Sequence, residues 1–137
     1  MIEYAIIGKF EMADQDQITS WVRFVLDEEV KELGEINFIL CDDDYLLDIN
    51  VKTLNHNTLT DIISFDYSLG NVISGDVYVS YERVKDNADN LKIPFGDELH
   101  RVMIHGILHY CGYKDKSDDE KILMRSKEDY YLSLRTF

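Results

Sequence analysis

Strand-like and helix-like segments alternate through the first part of this chain, and their order restricts the possible folds. β-rich segments are predicted at residues 3–7, 35–40, 61–67 and 75–80. Helical spacing of apolar residues predicts helices at residues 15–33, 43–53, 80–90, from 96 or 97 to about 111, and 117–134. Strands separated by helices usually run parallel, whereas two consecutive strands usually pair antiparallel. We therefore predict an α+β fold with a small, mixed, mostly parallel four-stranded sheet and about five helices.

The ends of two helices are predicted from single residues. Gly34 is expected to end the first helix, because glycine readily takes the left-handed conformation found after helices. Ser117 opens the sequence S-D-D-E, which is typical of a capping box at the start of the last helix.

The composition is that of one globular domain over residues 1–137, with 45% hydrophobic and 30% charged residues. Two cysteines are too few for a disulfide framework, so we expect a cytoplasmic protein. We see neither a signal peptide nor a membrane-spanning segment, and no membrane partner is expected. The net charge of −13 argues against an extended, non-specific grip on a phosphate backbone.

Residues 105–115, H-G-I-L-H-Y-C-G-Y-K-D, carry the clearest chemical signal. His105 and His109 are four residues apart and fall on one face of a helix. Gly112 can end that helix and let the chain turn back, which would bring Asp115 to the same point. Two imidazoles and one carboxylate, with a fourth position left open, are typical of a catalytic zinc site. We predict one divalent ion per chain, held by His105, His109 and Asp115.

Gly106 decides between two kinds of zinc enzyme. The spacing of residues 105–115 is that of the zinc signature H-E-x-x-H-x-x-G-x-x-H, with Asp115 at the third ligand. In zinc peptidases the residue after the first His is a Glu that acts as the general base. Glycine cannot transfer a proton, which disfavours a peptidase. Glycine also lowers helix propensity by about 1 kcal/mol, so we expect a neighbouring segment to approach closely there.

Another role is expected for each of three further residues of ligand type. Cys111 leaves the helix on a different face from the two histidines, and a packing role is expected. His100 also faces elsewhere, towards solvent or the core. His56 lies in a polar stretch from which it could approach the metal, although an ordinary loop residue is the simpler interpretation.

Several motifs together resemble one known family. Residues 105–115 resemble the H-G-x-L-H-x-x-G-Y-D-H motif of the YbeY endoribonuclease family. Residues 60–65, T-D-I-I-S-F, are similar to its T-D-V-L-S-F strand, and residues 75–77, G-D-V, are similar to its G-D-I strand. Asn50 matches an Asn in its central region. The resemblance covers about residues 36–130, with the motifs in the same order.

The resemblance implies a single α+β domain with a divalent metal, usually zinc. It implies cleavage of single-stranded RNA in rRNA maturation, chiefly at the 3′ end of the small-subunit RNA, and in ribosome quality control. RNA, and the ribosome or its small subunit, are the implied partners. His105 and His109 fall on the first two metal ligands of the family. Asp115 falls on the third, where the family usually has His.

A second departure concerns substrate binding. The family commonly has an Arg four residues after the Asn, where this chain has Leu54. An Arg there would suit phosphate oxygens. Lys52, His56, Arg101 and Lys114 are the candidates to replace it, and the sequence does not choose among them.

The mechanism expected from the residues together with this resemblance is metal-assisted phosphodiester hydrolysis, with a metal-activated water as the nucleophile and an unidentified proton acceptor. Attack by the 2′-hydroxyl of the RNA is the alternative. The competing functions are a zinc peptidase or other zinc hydrolase, and a ribosome-associated binding protein with a structural metal.

Overall fold

Nine elements make up the fold in the computed structural model, which describes residues 1–54 and 59–137. The strands are β1 (Ile2–Ile6), β2 (Glu32–Cys41), β3 (Ile62–Asp66) and β4 (Val72–Ser80). The helices are α1 (Gln15–Glu28), α2 (Asp43–Leu54), α3 (Tyr81–Leu91), α4 (Phe95–Tyr110) and α5 (Asp118–Ser133). The predicted α+β order, with four strands and five helices, is confirmed.

The four strands form one mixed sheet in the order β1-β2-β4-β3. β1 pairs parallel with β2, and β2 pairs parallel with β4. β3 and β4 form an antiparallel hairpin, so β3 is an edge strand. Two of the three pairings are parallel, as the order of elements predicted.

One face of the sheet carries the main core. Ile36, Phe38 and Leu40 of β2, with Val77 and Val79 of β4, are fully buried on that face. They lie in one cluster with apolar residues of α1 and α4. α2 packs on the other face, where Leu46 joins Cys41 and Ile63 in a smaller cluster. α4 therefore lies between the sheet and α5, and its inward residues are fixed by packing on both sides.

The end of α1 differs from the prediction. α1 ends at Glu28, and Val30 rather than Gly34 takes the left-handed conformation, with φ of 58°. The N–H groups of Val30 and Lys31 donate to the carbonyls of Asp27 and Leu26, the two hydrogen bonds that close a helix in a Schellman motif. Gly34 lies inside β2, where the pairing with β4 shifts between Leu33 and Ile36. A Cβ at Gly34 would overlap Ser74 Oγ, so packing within the sheet requires a glycine at this position, and Gly34 does not end the helix.

Candidate metal centre

α4 and the turn after it bring the three predicted ligands together. Gly112 has φ of 105°, and its N–H donates to the His109 carbonyl while the N–H of Tyr113 donates to the Leu108 carbonyl. These bonds end α4 as predicted and return the chain towards His105. The capping box at Ser117 and Glu120 then starts α5, so the turn carrying Asp115 is held at both ends.

The three side chains converge on one point. His105 Nε2 lies 3.0 Å from His109 Nε2 and 3.1 Å from Asp115 Oδ2. His109 Nε2 lies 3.3 Å from the same oxygen. Ligand atoms 2.0–2.1 Å from a tetrahedral zinc ion lie about 3.3–3.4 Å apart. The three separations are close to that spacing, so this donor set fits zinc.

A carboxylate from α5 orients the first histidine. Glu128 Oε2 lies 2.7 Å from His105 Nδ1, which leaves Nε2 facing Asp115. Arg101 Nη1 donates to the other Glu128 oxygen over 2.9 Å. Burial alone would raise the pKa of Glu128, but the hydrogen bonds with His105 and Arg101 outweigh it and hold that pKa below its usual value. A buried, ionised carboxylate therefore fixes the ring of His105, an arrangement common among metal-binding histidines.

The same carboxylate changes the protonation of His105. Burial lowers the pKa of the imidazole, but the hydrogen bond with Glu128 and the charges of Glu128 and Asp115 more than offset it, so the pKa is raised. In the neutral ring, a proton on Nδ1 faces Glu128 and the Nε2 lone pair is free, so a metal at Nε2 would displace the second proton that the raised pKa favours.

A cavity of about 390 Å³ opens beside these residues. It lies between the start of β3, the outer face of α4 and the first turns of α5, and includes two of the three predicted ligands. Its lining residues are Asp61, Ile62, Glu98, Arg101, Val102, His105, Asp115, Lys121, Met124, Arg125 and Glu128.

Two carboxyl groups in this cavity have raised pKa values. Burial is the main cause of the raised pKa of Asp61. Burial and then the charge of Asp61 raise the pKa of Glu98. Glu98 Oε1 is buried and has no hydrogen-bond donor among the described residues. Carboxyl groups with raised pKa in a cleft are typical of proton-transfer sites.

Cys111 and His100, for which no ligand role is expected, lie apart from this point. Cys111 is half-buried against the core, as expected, and burial raises its pKa to about 11. His100 packs between Trp21 and Phe137, where its Nδ1 accepts a hydrogen bond from Arg135. His56 and the side chain of Leu54 lie outside the described residues.

Gly106 meets the sheet as expected. A Cβ there would lie 3.1 Å from Ile62 Cδ1 and 3.3 Å from a methyl carbon of Val77. The missing side chain lets α4 approach β3 and β4 at the point where His105 leaves the helix.

The bases considered from the sequence differ in their surroundings. Lys52 forms an exposed ion pair with Asp48. Arg101 lines the cavity, but its guanidinium is held by Glu128 and Asp129. Lys114 lines a separate hollow with Gly112 and Tyr113.

Sequence reasoning did not single out Glu128, Lys121 or Arg125. The spacing of Lys121, Arg125 and Glu128 at i, i+4 and i+7 on α5 was the available signal that they share a face.

Comparison with known proteins agrees with this geometry. The sequence profile of the family "Endoribonuclease YbeY" matches residues 6–135. The chain belongs to the YbeY endoribonuclease family. The endoribonuclease YbeY of Flavobacterium psychrophilum is 59% identical over 134 residues, which are 98% of this chain and 96% of the relative. The endoribonuclease YbeY of Flavobacterium johnsoniae is 55% identical over the same shares of the two chains.

A solved structure supports the YbeY assignment at the level of the fold. The solution structure of a Thermotoga maritima protein superposes with a TM-score of 0.69 at 25% identity. The match covers 95% of this chain and 87% of that protein. In the described parts of the present chain, no helix has both the length and the apolar character needed to cross a membrane.

Proposed function

We propose that this YbeY family member is a zinc-dependent endoribonuclease, a single metal-dependent hydrolase domain over residues 1–137. His105, His109 and Asp115 hold one zinc ion. The substrate is RNA in single-stranded regions, and the reaction serves rRNA maturation at the small-subunit 3′ end and ribosome quality control in the cytoplasm. The observation that carries the proposal is the convergence of three ligand atoms beside an open cavity.

Zinc at this point would polarise a phosphoryl oxygen and lower the pKa of a water molecule towards 7. The protein supplies the geometry. Glu128 and Arg101 hold the His105 ring, and α4 keeps His109 one turn away. The side chains of His105 and His109 are 23% and 30% exposed, so neither ligand is sealed off from solvent.

Asp61 is the group best placed to move a proton. It lines the cavity with His105, and burial raises its pKa towards the range in which a carboxylate is an effective general base. Glu98 lines the same cavity. The proton acceptor that Gly106 cannot provide is thus assigned to another segment of the chain.

Two competing functions are less well supported. A peptidase remains chemically possible with Asp61 as base, but the family and its relatives are endoribonucleases. A structural metal would need a fourth protein ligand. Among the described residues the cluster has three members, and Cys111 is not one of them.

The test is cleavage of a labelled single-stranded RNA and of ribosomal RNA by purified protein, with chelator and after zinc is restored. We expect cleavage with zinc that is lost with chelator and in His105→Ala and His109→Ala. His100→Asn, which changes a histidine outside the cluster, is the matched control and should retain activity. A peptide substrate is included and should remain intact.

Zinc content measured on the same samples tests the ligand assignment separately. We expect about one ion per chain in the wild type and in His100→Asn, and much less in the two cluster variants. Unchanged metal content in both would refute the assigned ligands. Cleavage that persists with chelator or in His105→Ala would show that a contaminant is responsible.

A further inference from the structure

The cavity beside the metal centre has a basic wall that the proposed zinc chemistry does not use. Lys121 and Arg125 lie four residues apart on α5, so their side chains leave the same face of that helix. Both line the cavity, together with His105 and Asp115. The two bases therefore stand next to the point where a phosphate of the substrate has to lie.

Both bases are available to an incoming anion. The Arg125 side chain is 60% exposed, and its contact with Glu128 is long, at 3.7 Å. Lys121 is exposed and forms no ion pair with any carboxylate in the described part of the chain. Arg101, the third base in the cavity, is already held by Glu128 and Asp129. Lys121 and Arg125 can therefore pair with an incoming anion, whereas the guanidinium of Arg101 is already paired with carboxylates of the protein.

The local charge balance depends on the metal. Four carboxylates and three bases line the cavity, so its balance is one negative charge. A divalent ion at the three ligands changes this to one positive charge. In a chain of net charge −13, this is a place that a phosphodiester can approach.

We propose that Lys121 and Arg125 form a phosphate clamp that holds the backbone of single-stranded RNA beside the metal centre. This rests on the proposed function and names residues that bind its substrate. The planar guanidinium of Arg125 can hold two phosphate oxygens, and the Lys121 ammonium adds a point charge one turn away. Contacts of this kind position the strand without reading its sequence.

The first test is steady-state cleavage by zinc-loaded Lys121→Ala, Arg125→Ala and the double variant. We expect the double variant to raise KM about ten-fold, with kcat within about two-fold, and to retain its zinc. The matched control is the double variant Arg23→Ala/Lys85→Ala, which removes the same two residue types from surfaces outside the cavity. It should leave KM unchanged. Lys121→Ala alone separates the clamp from any effect of Arg125 on Glu128.

The second test measures binding without cleavage. Fluorescence anisotropy of labelled, cleavage-resistant 2′-O-methyl oligo(A) and oligo(U) is recorded with zinc-loaded protein over a range of salt concentrations. The slope of log affinity against log salt should become shallower by about 0.7 for each base removed, equally for both sequences. The control variant should keep the wild-type slope.

The outcomes of the two tests distinguish a failure of the proposed clamp from a failure of the proposed function. Zinc-dependent cleavage with an unchanged KM and an unchanged salt slope in the double variant would overturn the clamp and leave the proposed function standing. A shallower slope in a protein that does not cleave RNA with zinc would support the clamp and refute the proposed function. A loss confined to one of the two sequences would show that the bases contact nucleobases and not phosphates.

Discussion

At the scale of single residues, the most informative contact is the one between His105 and Glu128. The two residues are 23 positions apart, on α4 and α5, and their side chains meet at 2.7 Å. A carboxylate on the far nitrogen of a metal-binding imidazole sets the tautomer and strengthens the ligand. We therefore expect Glu128 to act as a positioning residue whose loss lowers the affinity for the metal.

We expect Glu128→Gln to weaken zinc binding roughly 10- to 100-fold, because the neutral amide no longer stabilises the N–H of His105 as a carboxylate does. Competition with a chromophoric chelator measures the affinity. Asp129→Asn is the matched control, since Asp129 contacts the same Arg101 and is not in contact with the histidine. Equal affinities for the two variants would contradict the positioning role. Thermal unfolding of both apoproteins shows whether either substitution affects the fold.

His100 gives a second prediction at this scale, one that concerns stability. Burial and then the charge of Arg135 lower its pKa to about 4. In the unfolded chain the pKa is near 6.5, so the unfolded state binds the extra proton first as the pH falls. The stability that the neutral imidazole provides is present above pH 6.5 and is lost towards pH 4.

In this window the free energy of unfolding should fall by up to about 1.4 kcal/mol per pH unit more in the wild type than in His100→Asn. Asparagine keeps an acceptor for Arg135 but does not titrate. Urea unfolding of both proteins at several pH values provides the comparison. Parallel pH profiles would mean that His100 is not the group responsible.

At the scale of elements, the hairpin of β3 and β4 is joined to α4 by Tyr110. Its hydroxyl lies 3.1 Å from the Phe65 carbonyl oxygen and 3.0 Å from that of Asp76, so its one proton is shared between them, and its ring covers Gly75. This contact explains physically why the G-D-V segment of β4 begins with glycine. A Cβ at Gly75 would lie 2.5 Å from the Phe65 carbonyl oxygen and 2.6 Å from the Tyr110 ring.

Gly75→Ala should destabilise the protein by about 2–3 kcal/mol, because both the strand and the helix would have to move apart. Gly96→Ala is the control. A Cβ at Gly96 meets only an ordinary contact with His100, at 3.9 Å, so no loss of stability is expected there. Chemical denaturation measures both. A loss of stability of less than about 0.5 kcal/mol in Gly75→Ala would show that the hairpin can move away from α4 at little cost.

Elements were predicted well where one local pattern determines them. Gly112 ends α4 and Ser117 caps α5, since both signals act within a single turn. The predicted end of α1 was wrong because the helix is closed by Val30 in the left-handed conformation, which β-branched residues seldom adopt. Gly34 is a glycine because Ser74 approaches it closely. Ser74 is 40 positions away in the chain, so the local sequence suggests a helix end instead.

At the scale of the whole molecule, local sequence patterns determine one part of the candidate site, and only the tertiary fold determines the other. The three predicted ligands lie within eleven residues, so spacing alone could predict them. Glu128, Asp61 and the clamp residues meet the ligands only after α4 is placed between the sheet and α5. No periodicity in the chain couples these segments. The fold class could be predicted because it depends on the order of strands and helices, and each of these elements has its own local sequence pattern.

Metal binding should stabilise the whole fold. A ligand at 100 times its dissociation constant adds about 2.7 kcal/mol to the free energy of unfolding. For a chain of this size that corresponds to a rise in Tm of roughly 10 °C. Thermal unfolding with zinc and with chelator measures the shift. It should be absent in His109→Ala and retained in His100→Asn; an equal shift in His109→Ala would place the ion elsewhere.

The closeness of the ligands along the chain also has a kinetic consequence. Closing a loop of eleven residues costs little entropy and takes well under a microsecond, whereas Glu128 and the cavity require the sheet and two helices to assemble. A partly folded chain would therefore hold an ion at His105, His109 and Asp115 only weakly, because Glu128 reaches His105 only in the assembled fold. Under the proposed function, tight metal binding and RNA cleavage would therefore both wait for α4 and α5 to pack together.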